Sequence, residues 1–297
     1  MLRPLLLVLV AAVFWGTTGT AAFYLGADVS PLSIGAATMG IGGVILAVLG
    51  GGHTRRVIQD RSSVLWWLLG SVGVVVYPLT FYWGMSQAGI AVGNVIALGL
   101  GPITVAVLEW ALGKTRPATI WWISSGIALA GIALMASAKV ELGGGRPGDL
   151  PLGIALAVIA GVSYGLFTYA FGRLIDRGHH PRGVIGAVFG AGSIPLVVVL
   201  GFTGAGLVAT LPQVGIVAYL VLGPMVIAYL AFSRALVALR SSTVATIALA
   251  EPVVAALLAV VVVGERLGPL AVAGGILVLA AIALLGRSGG AREATQT

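Results

Sequence analysis

A chain of 297 residues that is 59 % apolar and only 8 % charged cannot cover a water-soluble particle of its size, because soluble domains carry about 25 % charged residues. Its net charge of +7 comes from basic residues set singly or in small clusters between long apolar runs, the pattern of membrane-protein loops and not of a nucleic-acid face. Cysteine is absent, so thiol catalysis, disulfides and thiolate metal sites are excluded; a soluble enzyme, a nucleic-acid-binding domain and a disordered chain drop out, leaving a polytopic membrane protein.

A bilayer-crossing helix needs about 20 mostly apolar residues, and ten segments qualify. The first, roughly 5–25, follows Met1-Leu2-Arg3 as a secretory signal would. Its apolar stretch of about 20 residues exceeds the 7–15 of a signal core. It also carries Trp15 and the run Gly16 to Thr20 in place of a cleavage site, so a retained helix is expected. The second, 31–50, opens on Pro31 and holds the small-residue cluster Gly35, Met39, Gly40, Gly42 and Gly43. The third, 64–87, begins with Trp66 and Trp67 and continues through Tyr77-Pro78, Phe81, Tyr82, Trp83, Ser86 and Gln87. The fourth, 90–112, carries Asn94, Pro102 and Glu109, and the fifth, 118–138, opens with Trp121 and Trp122. The four tryptophans at segment starts read as interfacial anchors.

Val140 to Asp149 form a linker whose Gly143, Gly145 and Gly148 spell a formal G-x-G-x-x-G. Without a preceding strand and a βαβ unit that pattern is a flexible joint, not a nucleotide site. The sixth segment, 151–172, holds Gly161, Tyr164, Gly165 and Tyr169; the seventh, 183–203, holds Gly186 and Gly190. The glycine pairs have the spacing of close helix contacts, within the monomer or across a dimer. The eighth, 213–236, carries Tyr219, Tyr229, Ser233 and Arg234, the ninth, 243–263, carries Glu251-Pro252, and the tenth is 268–286.

With the N-terminus inside, thirteen of the sixteen Lys and Arg fall on the cytoplasmic side, and only Lys139, Arg146 and Arg266 on the other. That bias predicts both termini in the cytoplasm and a multi-pass protein of the cell inner membrane. The chain also matches itself at an offset near 150: Pro31 with Pro181, Phe14-Trp15-Gly16 with Ser163-Tyr164-Gly165, Pro102 with Pro252. Five helices is an odd number, so the second copy enters from the opposite side. The expected fold is all-α and integral to the membrane, with ten transmembrane helices in two five-helix inverted repeats. Residues 1–139 form the first repeat, 140–150 an extracytoplasmic linker, 151–287 the second repeat and 288–297 a short cytoplasmic tail.

Ionisable groups at membrane depth are costly and are functional candidates. Glu251 is the stronger one; it suits a proton carrier or a contact for a cationic group, and equally a packing carboxyl. Glu109, nearer the cytoplasmic end with Lys114 and Arg116 just beyond, is expected to pair near the interface. Mid-helix Trp15, Tyr77, Tyr82, Tyr164 and Tyr229 need partners for their polar atoms, either between helices or around a shared cavity. Pro102 and Pro252 each remove a backbone hydrogen bond and are a candidate hinge pair. His53, His179 and His180 lie in cytoplasmic loops without ligand spacing, so no metal is expected.

Phe14-Trp15-Gly16, the run Ala235-Leu236 … Ala245 … Glu251-Pro252 … Gly264-Glu265-Arg266-Leu267, and its first-half copy Ala88 … Ala97 … Pro102 … Gly113-Lys114 carry a resemblance to the drug/metabolite transporter superfamily, specifically the EamA-type ten-helix exporters. Lys114 departs from the glutamate usual at that turn, which Glu265 keeps. The resemblance implies export of amino acids or related small metabolites through a central cavity lined by helices one, three, four, six, eight and nine. Carried onto this chain it indicates Trp15, Tyr77, Tyr82, Asn94, Tyr164, Tyr229 and Glu251. The expected partners are a small-molecule substrate and the lipid bilayer, with protons an open third; no nucleic acid and no cofactor are expected, and the state is a monomer or weak dimer. A nucleotide-sugar or lipid-carrier translocator on the same fold is the alternative, for which Arg234 is the one span cation near enough to serve phosphates. An intramembrane enzyme ranks last, because no nucleophile with a base lies at depth.

Overall fold

The computed structural model describes residues 2–26, 29–113, 116–140, 148–263 and 267–287. Every span expected from the sequence is a helix: α1 (Leu2–Ala22), α2 (Pro31–Gln59), α3 (Arg61–Ala88), α4 (Val92–Ala111), α5 (Thr119–Ser137), α6 (Leu150–Asp176), α7 (Pro181–Leu207), α8 (Leu211–Ala235), α9 (Ser241–Val262) and α10 (Pro269–Arg287). Most of the linker, the tail, Lys114 and Gly264 to Arg266 lie outside the described residues. Prolines open α2, α6, α7 and α8 in the first turn, where no N–H is needed.

Large apolar side chains such as Val48, Ile194, Phe202 and Ile276 are exposed, which is tolerable only against lipid. Helix contact inside the bundle runs through glycine. A Cβ on Gly43 of α2 would meet the Phe189 carbonyl of α7 at 2.6 Å. One on Gly131 of α5 would meet the Gly274 carbonyl of α10 at 2.6 Å, and one on Gly161 of α6 the Ala97 carbonyl of α4 at 2.7 Å. Gly165, Gly186 and Gly190 likewise face α4 or α2, so these glycines serve packing within the chain. The main partnerships are α2 with α7 and α5 with α10; α3 and α4 both pack on α6, as α8 and α9 pack on α1. Exchanging the first five helices for the last five maps this set onto itself.

Two ends of the bundle are distinguishable by contact. At one, Asp60 meets His179, Arg240 meets Glu109 and the Arg116 carbonyl, and His53 stacks on His180. At the other, Gln213 donates to the Leu25 carbonyl, Ser33 to that of Thr203, and the Asp149 N–H to Gln87. Among the described residues every arginine falls at the first, arginine-rich end. The tryptophan pairs behave differently from a membrane belt. Trp66 and Trp121 are buried, whereas Trp122 is half exposed. Adjacent positions on a helix point about 100° apart, so one of each pair turns inward; Trp66 packs on Tyr169 at 5.5 Å.

Candidate functional site

The site begins with a defect in α9. Its helix runs Ser241–Ala248, breaks at Leu249 and Ala250, and resumes as Glu251–Leu258. The N–H groups of Leu249 and Ala250 turn back to the Thr246 and Ile247 carbonyls, and those of Val253 and Val254 both go to Ala250. Pro252 has no N–H to offer the carbonyl four residues behind it. Pro252 therefore cannot bond the Ala248 carbonyl, and no backbone donor reaches the Leu249 carbonyl among the described residues. Glu251 stands at this break, halfway along α9, and among the described residues its carboxylate has no ion pair or hydrogen bond.

Around the break lies a cavity of about 90 Å³. Six of the seven residues singled out from sequence line it: Trp15, Tyr77, Tyr82, Tyr164, Tyr229 and Glu251. Asn94 does not; Leu98, one turn further along α4, takes that place. Helix α2, read from sequence as packing alone, contributes Gly35, Thr38 and Met39. A stripe of small residues opposite aromatic helices was the available signal. No Lys, Arg or His is among the lining residues, and Arg234 is exposed on the outside of α8.

Two local irregularities bring the walls together. Gly16 lets α1 approach α9, since a Cβ there would meet Val254 at 2.7 Å and the Glu251 carbonyl at 3.0 Å. Helix α1 breaks at Thr17, whose hydroxyl bonds the Phe14 carbonyl and the Tyr219 hydroxyl, each at 2.6 Å. Opposite, α8 widens into a π-helical stretch at Val221–Ile227, which presents the Pro224 carbonyl to the Trp15 indole N–H at 2.9 Å. The rings form a chain: Tyr82 to Phe81 at 5.4 Å, Phe81 to Tyr77 at 5.3 Å, Tyr77 to Tyr164 at 5.8 Å, and Tyr229 to Trp15 at 5.1 Å. Pro102 sits in an unbroken part of α4. It denies an N–H to the Leu98 carbonyl just as Pro252 does to that of Ala248, and both of those residues line the cavity.

Toward the arginine-rich end the cavity is floored by aromatic packing, Phe167 meeting both Tyr164 and Tyr229. Phe167, Phe171, Phe189 and Phe232 are fully buried one or two turns beyond Tyr164 and Tyr229. Glu109 of α4 then clasps the start of α9: its carboxylate accepts from the Ser242 N–H at 3.2 Å, the Ser242 hydroxyl at 2.6 Å and Arg240 Nη2 at 3.2 Å. Its ion-pair partner is thus Arg240, 131 residues away, and not the neighbouring Arg116; Lys114 lies outside the described residues. An anion at a helix N-terminus also complements the helix dipole.

At the same end Asp60 accepts from the Ser62 N–H and hydroxyl and from the Ser63 hydroxyl at 2.7–3.0 Å, and lies 3.0 Å from His179 Nε2. Bonds from Ser63, then Ser62, hold its carboxyl well below the ordinary carboxylate range. The Arg177 side chain reaches the Ser62 carbonyl. Partial burial, then the nearby His53, Arg182 and Arg234, push His180 below its ordinary value. Accordingly its ring Nδ1 accepts the Arg182 N–H. Among the described residues no group of three His, Asp or Glu comes together as a metal would need.

A model of the EamA-like transporter family matches residues 2–137 and 151–287. A Bacillus subtilis (strain 168) protein called "Uncharacterized transporter YwfM" is 34 % identical over 192 residues, which is 62 % of this chain and 60 % of that protein. The match thus spans less than two thirds of the relative's length. A solved crystal structure shares the fold with a TM-score of 0.79 and 20 % identity, covering 96 % of this chain and 97 % of its own.

Proposed function

The chain belongs to the EamA-like transporter family, and on that premise we propose that it is a secondary transporter exporting small metabolites, amino acids or related solutes, across the bacterial inner membrane by alternating access. One observation carries the reading: a cavity at mid-bundle, walled by both halves of the chain and centred on a broken helix with a carboxylate at the break. Transporters of repeated construction bind their substrates at such places, where unwound backbone lines a cavity at membrane depth.

The positive-inside rule makes the arginine-rich end cytoplasmic. The cavity then belongs to an outward-facing state, with the phenylalanine layer and the Glu109 clasp as the closed cytoplasmic gate. Residues 1–139 and 151–287, taken as inverted repeats, would reach the inward-facing state by exchanging arrangements. The α2–α7 and α5–α10 pairs join the two halves, while α1 and α6 rock with the helices packed on them. For that motion Glu109 must release Ser242 and Arg240, and Pro102 and Pro252 mark where α4 and α9 bend. A phosphate-bearing solute fits poorly, because no cationic side chain lines the cavity.

Counterflow in proteoliposomes tests the reading, with a panel of labelled amino acids and small neutral, cationic and anionic metabolites, with and without an imposed pH gradient. Saturable uptake of at least one solute, lost in Glu251→Ala, is expected. Gradient-dependent flux abolished in Glu251→Gln would make Glu251 the proton carrier, and equal flux indifferent to the gradient a facilitator. Uptake no faster than in protein-free liposomes for the whole panel overturns the proposal.

A further inference from the structure

We propose that the cavity is selective for a small amine: a protonated nitrogen on an apolar body of about one ring, bound in preference to the same body carrying a carboxylate. The inference rests on the transporter reading and narrows its substrate class.

Three independent features of the wall have the same sign. Glu251 brings a carboxylate with no counter-charge among the described residues, and no cation lines the cavity. The break in α9 adds the Leu249 carbonyl, which lacks a backbone donor among the described residues, and the Ala248 carbonyl, to which Pro252 offers no N–H, at the C-terminal and therefore negative end of the half-helix Ser241–Ala248. Across the cavity Pro102 likewise offers no N–H to the Leu98 carbonyl. Finally, Trp15, Tyr77, Phe81, Tyr82, Tyr164 and Tyr229 supply ring faces, whose quadrupoles attract cations and repel anions.

Opposing groups are weak by comparison. The tyrosine hydroxyls can donate to a carboxylate or accept from an ammonium with equal ease, so they do not choose between charges. The N-terminus of the half-helix Glu251–Leu258 meets the same break and is its positive end, but its first residue is Glu251, whose own carboxylate offsets that charge and repels an anion there. An amino acid would have its ammonium matched and its carboxylate unmatched, and a carboxylic acid would have neither advantage.

The test is binding to the purified full-length protein in detergent, measured by titration calorimetry with three matched series. These are phenethylamine, phenylalanine and 3-phenylpropionate; tryptamine, tryptophan and indole-3-propionate; isopentylamine, leucine and 4-methylpentanoate. In at least one series the amine should bind about tenfold or more tighter than the amino acid, with the acid weakest, because leaving the amino acid's carboxylate unmatched in the cavity costs at least that factor. Glu251→Gln should erase most of the preference without changing the melting temperature by more than its own error, and Glu251→Asp should restore the order. An amino acid or acid binding as tightly as its amine overturns the charge assignment while leaving the transporter reading intact. So does an amine preference that survives Glu251→Gln, which would remove Glu251 as its source. Binding of none of the nine overturns the amine proposal; the transporter reading falls with it only if the counterflow panel is also silent.

Discussion

Replacing Glu109 by alanine removes the clasp between α4 and α9, and the structure sets the size of the effect. Three hydrogen bonds are lost, to Arg240 Nη2, the Ser242 N–H and the Ser242 hydroxyl, from a residue only 8 % exposed. Interhelical hydrogen bonds in membrane proteins average about 0.6 kcal/mol each, so three of them set a floor near 2 kcal/mol. Removing one partner of a buried charge pair costs about 3–5 kcal/mol in soluble proteins. That ceiling is out of reach here, because the Arg240 side chain is 21 % exposed and water replaces part of its lost partner. The expected loss is about 2–4 kcal/mol for Glu109→Ala. Glu109→Gln keeps an acceptor for Ser242 and should lose about half as much, on the same reckoning of bonds kept and lost. Reversible unfolding in mixed micelles, followed by circular dichroism, measures both. An alanine variant within about 0.5 kcal/mol of wild type, the range of an ordinary surface change, would refute the clasp.

Gly43→Ala should destabilise by about 1–3 kcal/mol, since its Cβ would press on the Phe189 carbonyl and overpacking costs that much. Gly126→Ala, whose Cβ meets nothing within 4 Å, should be neutral or stabilising in the same unfolding assay; equal effects at the two sites would contradict the close approach of α2 to α7 at Gly43. Asp60, held below its ordinary value near 3.8, contributes stability that is fully present above that value and fades as pH falls through it toward the lower folded value. The stability gap between wild type and Asp60→Asn should therefore close as pH falls below about 4, and a gap that persists or widens there would contradict the assigned hydrogen bonds. Trp15→Phe keeps the ring beside Tyr229 but frees the Pro224 carbonyl, a bond worth about 1 kcal/mol. A rise of roughly fivefold in the half-saturating substrate concentration for counterflow is expected, and no rise would mean the bond plays no part in shaping the cavity.

What could be read in advance follows from the lipid. A chain in hydrocarbon must satisfy its backbone within each segment, so the spans declare themselves by length and apolar content, and a helix stands at each of the ten apolar segments. The same solvent makes a mid-span carboxylate conspicuous, which is why Glu251 and its proline stand out beside residues of no local distinction. Leu98, Thr38 and Met39 line the cavity as well, yet nothing in their type separates them from packing residues elsewhere. Asn94, more conspicuous than Leu98, lies outside the lining because it stands one turn away along the same face of α4, so position along the helix axis and not polarity decides which side chain reaches the cavity.

The apolar pattern, the break-prone Glu251-Pro252 pair and the concentration of Lys and Arg in alternate loops are local properties, and the sequence alone determined them. Only the tertiary structure decided that Glu109 reaches Arg240 and Ser242, that one tryptophan of each pair turns inward, and that Pro252 accompanies an open backbone while Pro102 sits in a continuous helix. Each of these depends on the rotation and axial offset of one helix against another. Those are set by glycine contacts such as Gly16 on α9 and Gly43 on α7, between positions more than a hundred residues apart, and no local pattern encodes such a distance.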